Sequence, residues 1–213
     1  MCNNKIFFKF SELSFLEKHI YYKTVFKFLR RLAWEYPNFT QWYDNLFIKD
    51  AELRPEREII ICESDLAIVG VAILKSNEVE KKICTLRVDK KYQRQGIGKQ
   101  LMGLSLEWLE SDYPVLTMHK VKQYEFDPLL KYFGFKLEQK QYHYYNIFST
   151  ELVYNGVLPE KDIFFSKLEL LDMQDIYRKF IESGKYNFEQ FLEECISKWY
   201  LRESKRRMIM QIY

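Results

Sequence analysis

Proline and glycine are scarce in this chain, 5 and 7 in 213 residues, which excludes collagen-like repeats and long flexible stretches. The 4 cysteines, Cys2, Cys62, Cys84 and Cys195, form no C-x-x-C pair. With only 3 histidines and no His cluster beside them, a zinc site is not expected, and no metal is assigned. Cys62 and Cys84 sit inside apolar runs, where a reduced thiol behaves as a small core group, and this points to a reducing compartment. No apolar stretch approaches the roughly 20 residues of a bilayer-spanning helix. Met1 to Phe10 is too short and too interrupted by Lys and Asn for a secretory signal. The expectation is a cytoplasmic protein without a membrane partner. Charge is nearly balanced, 33 basic against 30 acidic residues with a net +3, so nothing in it demands a nucleic-acid partner.

What the chain does have is apolar and aromatic mass. Hydrophobic residues make up 47%, with 17 Phe, 16 Tyr and 4 Trp, enough to bury a core. Lys5 to Phe10 suggests a first strand. Leu13 to Trp34 has helical spacing, Pro37-Asn38 breaks it, and Thr40 to Phe47 suggests a further short helix. Glu58–Glu63, Leu66–Leu74 and Lys82–Val88 are apolar runs separated by the short polar turns Ser64-Asp65 and Ser76–Glu78. They predict an antiparallel meander, and its nearly continuous apolar character predicts helices on both faces. A loop from Asp89 to Gly96 leads into a helix from about Ile97 to Leu109 striped by Ile97, Leu101, Leu104 and Trp108. Pro114 to Met118 predicts a strand, Asp127 to Tyr132 a short helix stopped by Gly134, and Phe135 to Tyr154 a closing hairpin. From Leu158 on the pattern is helical. Asp172 and Asn187 are candidate caps, and Phe188, Phe191, Leu192, Cys195, Ile196, Trp199 and Tyr200 form one stripe.

The loop Gln93-Arg94-Gln95-Gly96-Ile97-Gly98 carries the chemistry. It follows an apolar strand and opens an amphipathic helix, whose first amides have no internal acceptors and lie at the positive dipole end. Two glycines let an anion approach the backbone, and Lys90, Lys91 and Arg94 add positive charge. A Rossmann fingerprint needs a third glycine where this chain has Leu101, and the P-loop's Gly-Lys-Ser/Thr is absent.

Leu86-Arg87-Val88, Gln93-x-x-Gly96-x-Gly98 and the helix after it resemble the acetyl-CoA-binding motif of the GNAT superfamily of N-acetyltransferases. Tyr132-Phe133-Gly134-Phe135 resembles that family's later Gly-Phe helix end. The resemblance spans roughly residues 5–157. It implies an α/β fold with a mixed, mostly antiparallel twisted sheet flanked by helices, to which a helical C-terminal extension at 158–213 is added. It further implies that the amides of Gln93, Arg94, Gln95, Gly96, Ile97 and Gly98 bind the pyrophosphate of acetyl-CoA. The main chain of Leu86, Arg87 and Val88 would pair with the pantetheine arm as an added strand. The reaction implied is direct attack of a primary amine on the thioester, with no acyl-enzyme.

Two departures bear on catalysis. Many relatives place a Tyr four residues before the Gly-Phe glycine, and here that position is Leu130, leaving Tyr132 as the candidate acid. The Asn that often follows the fifth strand is missing, and His119-Lys120 stand there, making His119 the candidate base. Each is weighed against a plainer role, packing for Tyr132 and a surface histidine at a strand end for His119, and for His119 the plainer role is favoured. Glu63 and Glu125 are other candidate bases, weighed against solvated surface carboxylates, and the solvated reading is favoured. Cys84 as a nucleophile is weighed against a core thiol, and the core reading is favoured. The acceptor is an amine of a small molecule or a protein, and Trp34, Tyr36, Trp42, Tyr43, Tyr142, Tyr144 and Tyr145 could line its pocket or fill the core. The extension holds 10 basic and 10 acidic residues and could pack on the domain, close its cleft or pair two chains as a homodimer. The alternative to an active N-acetyltransferase is a module that binds acyl-CoA and recruits a partner with weak or no catalysis.

Overall fold

The computed structural model describes residues 5–34, 36, 39–142, 144, 150–158 and 178–184. The chain divides into two compact units, one of Met1–Gln141 with Glu151–Leu158, the other of Tyr142–Thr150 with Pro159–Tyr213. In the second unit the described residues include a helical stretch at 178–182 that ends at Gly184, whose φ is +66°. The stripe expected after Asn187, with Cys195 and Trp199, lies outside the described residues, as do the rest of the helix expected from Asp172 and the residues His143 and Tyr145.

The first unit opens with β1 (Lys5–Lys9), followed by α1 (Phe15–Leu29) and α2 (Phe39–Asp44). Ser14 starts α1 through a capping box, its side chain accepting from the Glu17 amide while Glu17 reaches back to the Ser14 amide. A small ribbon of β2 (Phe47–Lys49) and β3 (Glu52–Leu53) precedes the meander β4 (Arg57–Ser64), β5 (Ala67–Ser76) and β6 (Lys81–Val88). Then come α3 (Ile97–Leu109), β7 (Val115–His119), α4 (Gln123–Tyr132), β8 (Leu137–Tyr142) and β9 (Thr150–Tyr154). The main sheet has 7 strands in the order β1-β4-β5-β6-β7-β9-β8. The pairs β1–β4, β4–β5, β5–β6 and β7–β9 are antiparallel and β6–β7 is parallel. This is the mixed, mostly antiparallel α/β sheet expected.

Both faces of the meander are covered, as its nearly continuous apolar sequence implied. Alternation sends Ile60, Cys62, Ala72 and Leu74 into a core with Leu101, Met102 and Leu109 of α3 and Leu130 of α4. Ile59, Ile61, Val71 and Ile73 point the other way, against Val25 and Leu29 of α1 and Phe39 and Tyr43 of α2. Tyr43 is fully buried and donates to the Tyr22 carbonyl at 2.8 Å, so this aromatic is core. Gly70 sets how closely α3 lies on the sheet, since a Cβ there would meet Ile97 Cγ2 at 2.9 Å and Leu101 Cδ1 at 3.0 Å.

Three local expectations are corrected. The β4–β5 turn is Asp65-Leu66, not Ser64-Asp65: both residues are left-handed, at φ 52° and 61°, the geometry that suits a tight hairpin, while Ser64 stays in β4. Helix α4 starts at Gln123 rather than Asp127 and runs through Pro128. The proline costs one helical hydrogen bond, offset by the packing of Phe126, Leu129 and Leu130 on the core. Phe47 belongs to β2, because α2 ends at Asp44 and the chain turns to bury Phe47 against Phe10 and Tyr22.

Candidate functional site

Strands β6 and β7 part company. Their pairing is confined to Lys82 with Val115 and Ile83 with Leu116, although β6 continues to Val88 and β7 to His119. On its other side β6 stays paired with β5 to its end, and this fixes which main-chain groups look into the gap. The Asp89 amide donates to the Val69 carbonyl at 2.8 Å, and the next pair in register is Gly70 with Val88. Hydrogen-bonded and non-hydrogen-bonded pairs alternate along an antiparallel ladder. Val88 and, two residues back, Leu86 therefore turn their amide and carbonyl away from β5 and into the gap. Arg87 turns its own toward β5, and its guanidinium lies over the Phe28 ring at 5.6 Å. A bulge between Thr85 and Ile83, opposite Ile73 and Leu74, leaves Cys84 as the extra residue just before this stretch.

The glycine loop closes one end of the gap. Lys90–Tyr92 makes a short 3-10 turn capped by Asp89, whose side chain accepts from the Lys91 amide at 2.9 Å. Arg94 and Gly96 both take left-handed φ, 62° and 85°, and Gly96 is the N-cap of α3 with no side chain to serve the first amides. The first bond of the helix runs from the Gln100 amide to the Gly96 carbonyl, and the amides of Gln95 through Lys99 find no acceptor among the described residues. A Cβ on Gly96 would meet nothing within 4 Å, so the loop's outer side is open to solvent. A Cβ on Gly98 would meet Val88 Cγ2 at 3.8 Å and Leu129 Cδ2 at 3.9 Å, so the helix start faces the end of β6 and α4. Arg94, Lys90 and Lys91 are exposed around it, as expected. Lys5 adds a charge that sequence reading missed, its Nζ donating to the Gln95 carbonyl at 3.2 Å from 90 residues away. No local sequence signal links β1 to this loop. The side chain of Gln93 spans outward, with Nε2 donating to Glu125 Oε1 on α4 at 2.7 Å and to the Val88 carbonyl at 3.4 Å.

The candidate proton-handling residues are placed as follows. His119 ends β7, and its Nδ1 accepts from the Val121 amide at 3.2 Å. The Nδ1 lone pair is therefore already engaged. Tyr132 is 63% exposed and lies under the Lys99 ammonium, 3.7 Å from the ring centre, while Leu130 is buried in the core. Glu63 accepts from the Tyr21 hydroxyl at 2.8 Å, and burial followed by that bond pushes the Tyr21 phenol up to about 12. Burial raises both thiols, Cys62 to about 11; Cys84 packs toward the α1–α2 core with Arg57 Nη1 at 3.4 Å, and neither is an activated nucleophile.

Sequence reading also missed Glu151. It is fully buried on β9, in register with His119, and accepts from the Tyr36 hydroxyl at 3.4 Å. An isolated Glu in a hairpin strand carries no signal that would have singled it out. A separate concavity of about 310 Å³ opens beside α1 and β2, lined by His19, Lys23, Asp44 and Lys49 among others, and it shares no residue with the gap.

Residues 25–125 match the family model described as the acetyltransferase (GNAT) family. Among solved structures, a protein from Desulfovibrio desulfuricans assigned as a GNAT-family acetyltransferase is similar at 12% identity and a TM-score of 0.50, covering 71% of this chain and 97% of its own. At that identity the likeness concerns the fold. A GNAT-family acetyltransferase from Elizabethkingia anophelis with acetyl-CoA bound is 17% identical over 56% of this chain and 83% of its own, at a TM-score of 0.44. Nourseothricin acetyltransferase is 16% identical at a TM-score of 0.44, covering 47% of this chain, and the chain spans only 64% of that protein's length. No match was found among the curated proteins.

Proposed function

From the premise that residues 25–125 form a domain of the GNAT acetyltransferase family, we propose that the chain transfers an acetyl group from acetyl-CoA to a primary amine of a small molecule or protein by direct attack. The observation that carries this reading is the pairing of two main-chain surfaces: the open first turn of α3 and the edge of β6 from which β7 has parted. The amides from Gln95 to Lys99 suit a diphosphate, with Arg94 and Lys5 supplying charge beside them. The amide and carbonyl of Leu86 and of Val88 suit the two amides of a pantetheine arm laid along the edge as an extra strand. Bound there, acetyl-CoA supplies the thioester carbonyl that the amine attacks.

His119 ends β7, the other strand of the gap, and with its Nδ1 lone pair engaged by the Val121 amide that nitrogen is not placed to remove the amine's proton. The decisive experiment is Gly96→Glu, which sets a side chain in left-handed backbone and a carboxylate at the anion site. Calorimetry with acetyl-CoA is expected to give heat for the native protein and none for the folded variant. Undiminished affinity in the variant overturns the reading.

A second reading is supported by Leu130 and Tyr132. The position that carries a tyrosine in many relatives is a core leucine, and the nearby tyrosine is engaged under Lys99. An acyl-CoA-binding module with weak or no transferase activity would look the same there. Thiol release across a panel of amines separates the two: tight acetyl-CoA binding without release selects the module.

A further inference from the structure

The Gln93 side chain sits at the mouth of the gap with two possible acceptors, and only one of them is needed by a bound cofactor. Its Nε2 is 2.7 Å from Glu125 Oε1 and 3.4 Å from the Val88 carbonyl. That carbonyl is one of the groups turned into the gap by the β5–β6 register. The bond to the carboxylate is the short, charge-assisted one. Glu125 lies in the first turn of α4.

We propose that Glu125 is a positioning residue for cofactor binding, one that holds the Gln93 amide on α4 and so keeps its bond to the Val88 carbonyl long, at 3.4 Å, and displaceable by the pantetheine arm. This rests on the function proposed above. Without Glu125, the Val88 carbonyl is the remaining acceptor of Gln93 Nε2, and with nothing to hold the amide back on α4 that bond shortens and competes more strongly with the strand-like pairing of the arm. Simple electrostatics predicts the opposite sign. Glu125 is a negative charge linked to the anion-binding loop, and its removal by itself would tighten the grip on a diphosphate.

The test uses calorimetry on the full chain with two probes, acetyl-CoA and 3′-phosphoadenosine 5′-diphosphate, which carries the pyrophosphate half without the arm. Glu125→Ala is expected to weaken acetyl-CoA roughly three- to tenfold and leave the armless probe unchanged or slightly tighter. Glu125→Gln keeps an acceptor and loses the charge, and it is expected to bind acetyl-CoA at least as well as the native protein. The double variant Gln93→Ala/Glu125→Ala, which removes the competitor, is expected to recover native affinity. Glu125→Ala binding acetyl-CoA as tightly as Glu125→Gln overturns the proposal, as does an equal loss for both probes. If the native protein binds neither probe, the cofactor site itself is refuted. Circular dichroism confirms that each variant is folded.

Discussion

Tyr21 shows how one side chain can couple folding to pH. Its hydroxyl donates to Glu63, and the folded-state phenol is raised from 10.0 to about 12, first by burial and then by that bond. A raised phenol means the folded chain holds its proton more tightly than the unfolded one. The stabilisation is whole below the unfolded value and disappears as pH climbs through the folded one. Native protein is therefore expected to lose urea resistance between pH 10.0 and about 12, and Tyr21→Phe to lose less of it over the same window. Tyr22, bonded to Asp44 and also raised to about 12, contributes in the same direction. Equal pH dependence in native protein and Tyr21→Phe counts against the coupling.

Single residues also divide what sequence can reveal. Gly96 and Gly98 were legible because glycine before a helix is a local signal with a local cause. The bond from the Val121 amide to His119 Nδ1 was not, because a histidine in a sequence does not disclose which ring nitrogen accepts.

Among the elements, α3 is held by its contact with β5 at Gly70. A methyl group there meets Ile97 at 2.9 Å and Leu101 at 3.0 Å, both side chains buried in the core, so neither can move out of its way cheaply. Gly70→Ala is expected to cost about 1–3 kcal/mol in chemical denaturation. Because Ile97 is the first residue of α3, the same substitution is expected to weaken acetyl-CoA binding as well. A stability loss with affinity untouched would show that the helix start is held by something else.

The strands and helices of the meander and of α3 were readable because their apolar periodicities are long and uninterrupted. The failures were at boundaries. Asp65-Leu66 forms a tight left-handed turn with no glycine to mark it, and α4 begins four residues upstream of Asp127, at Gln123, where no capping side chain marks its start.

At the scale of the whole molecule, ligand binding to the native state alone must raise stability by mass action. Acetyl-CoA at 100 times its dissociation constant is expected to add about 2.7 kcal/mol, a rise of roughly 5–10 °C in Tm for a chain of this length. Gly96→Glu should show no such rise. A native protein whose melting does not respond to acetyl-CoA would contradict the cofactor site independently of calorimetry. Among the described residues no helix is long and apolar enough to cross a membrane.

The sequence by itself determined the layered α/β arrangement and the glycine turn that opens α3, because both arise from interactions between residues close along the chain: alternation, helical spacing, and glycines that uncover a helix start. Only the tertiary structure decided the gap between β6 and β7, the direction of the Leu86 and Val88 main-chain groups, the reach of Lys5 to Gln95, and the bond from Gln93 to Glu125. Each of these depends on strand register or on partners tens of residues apart. A shift of one residue in register reverses which groups face a neighbour, and no local pattern encodes that choice.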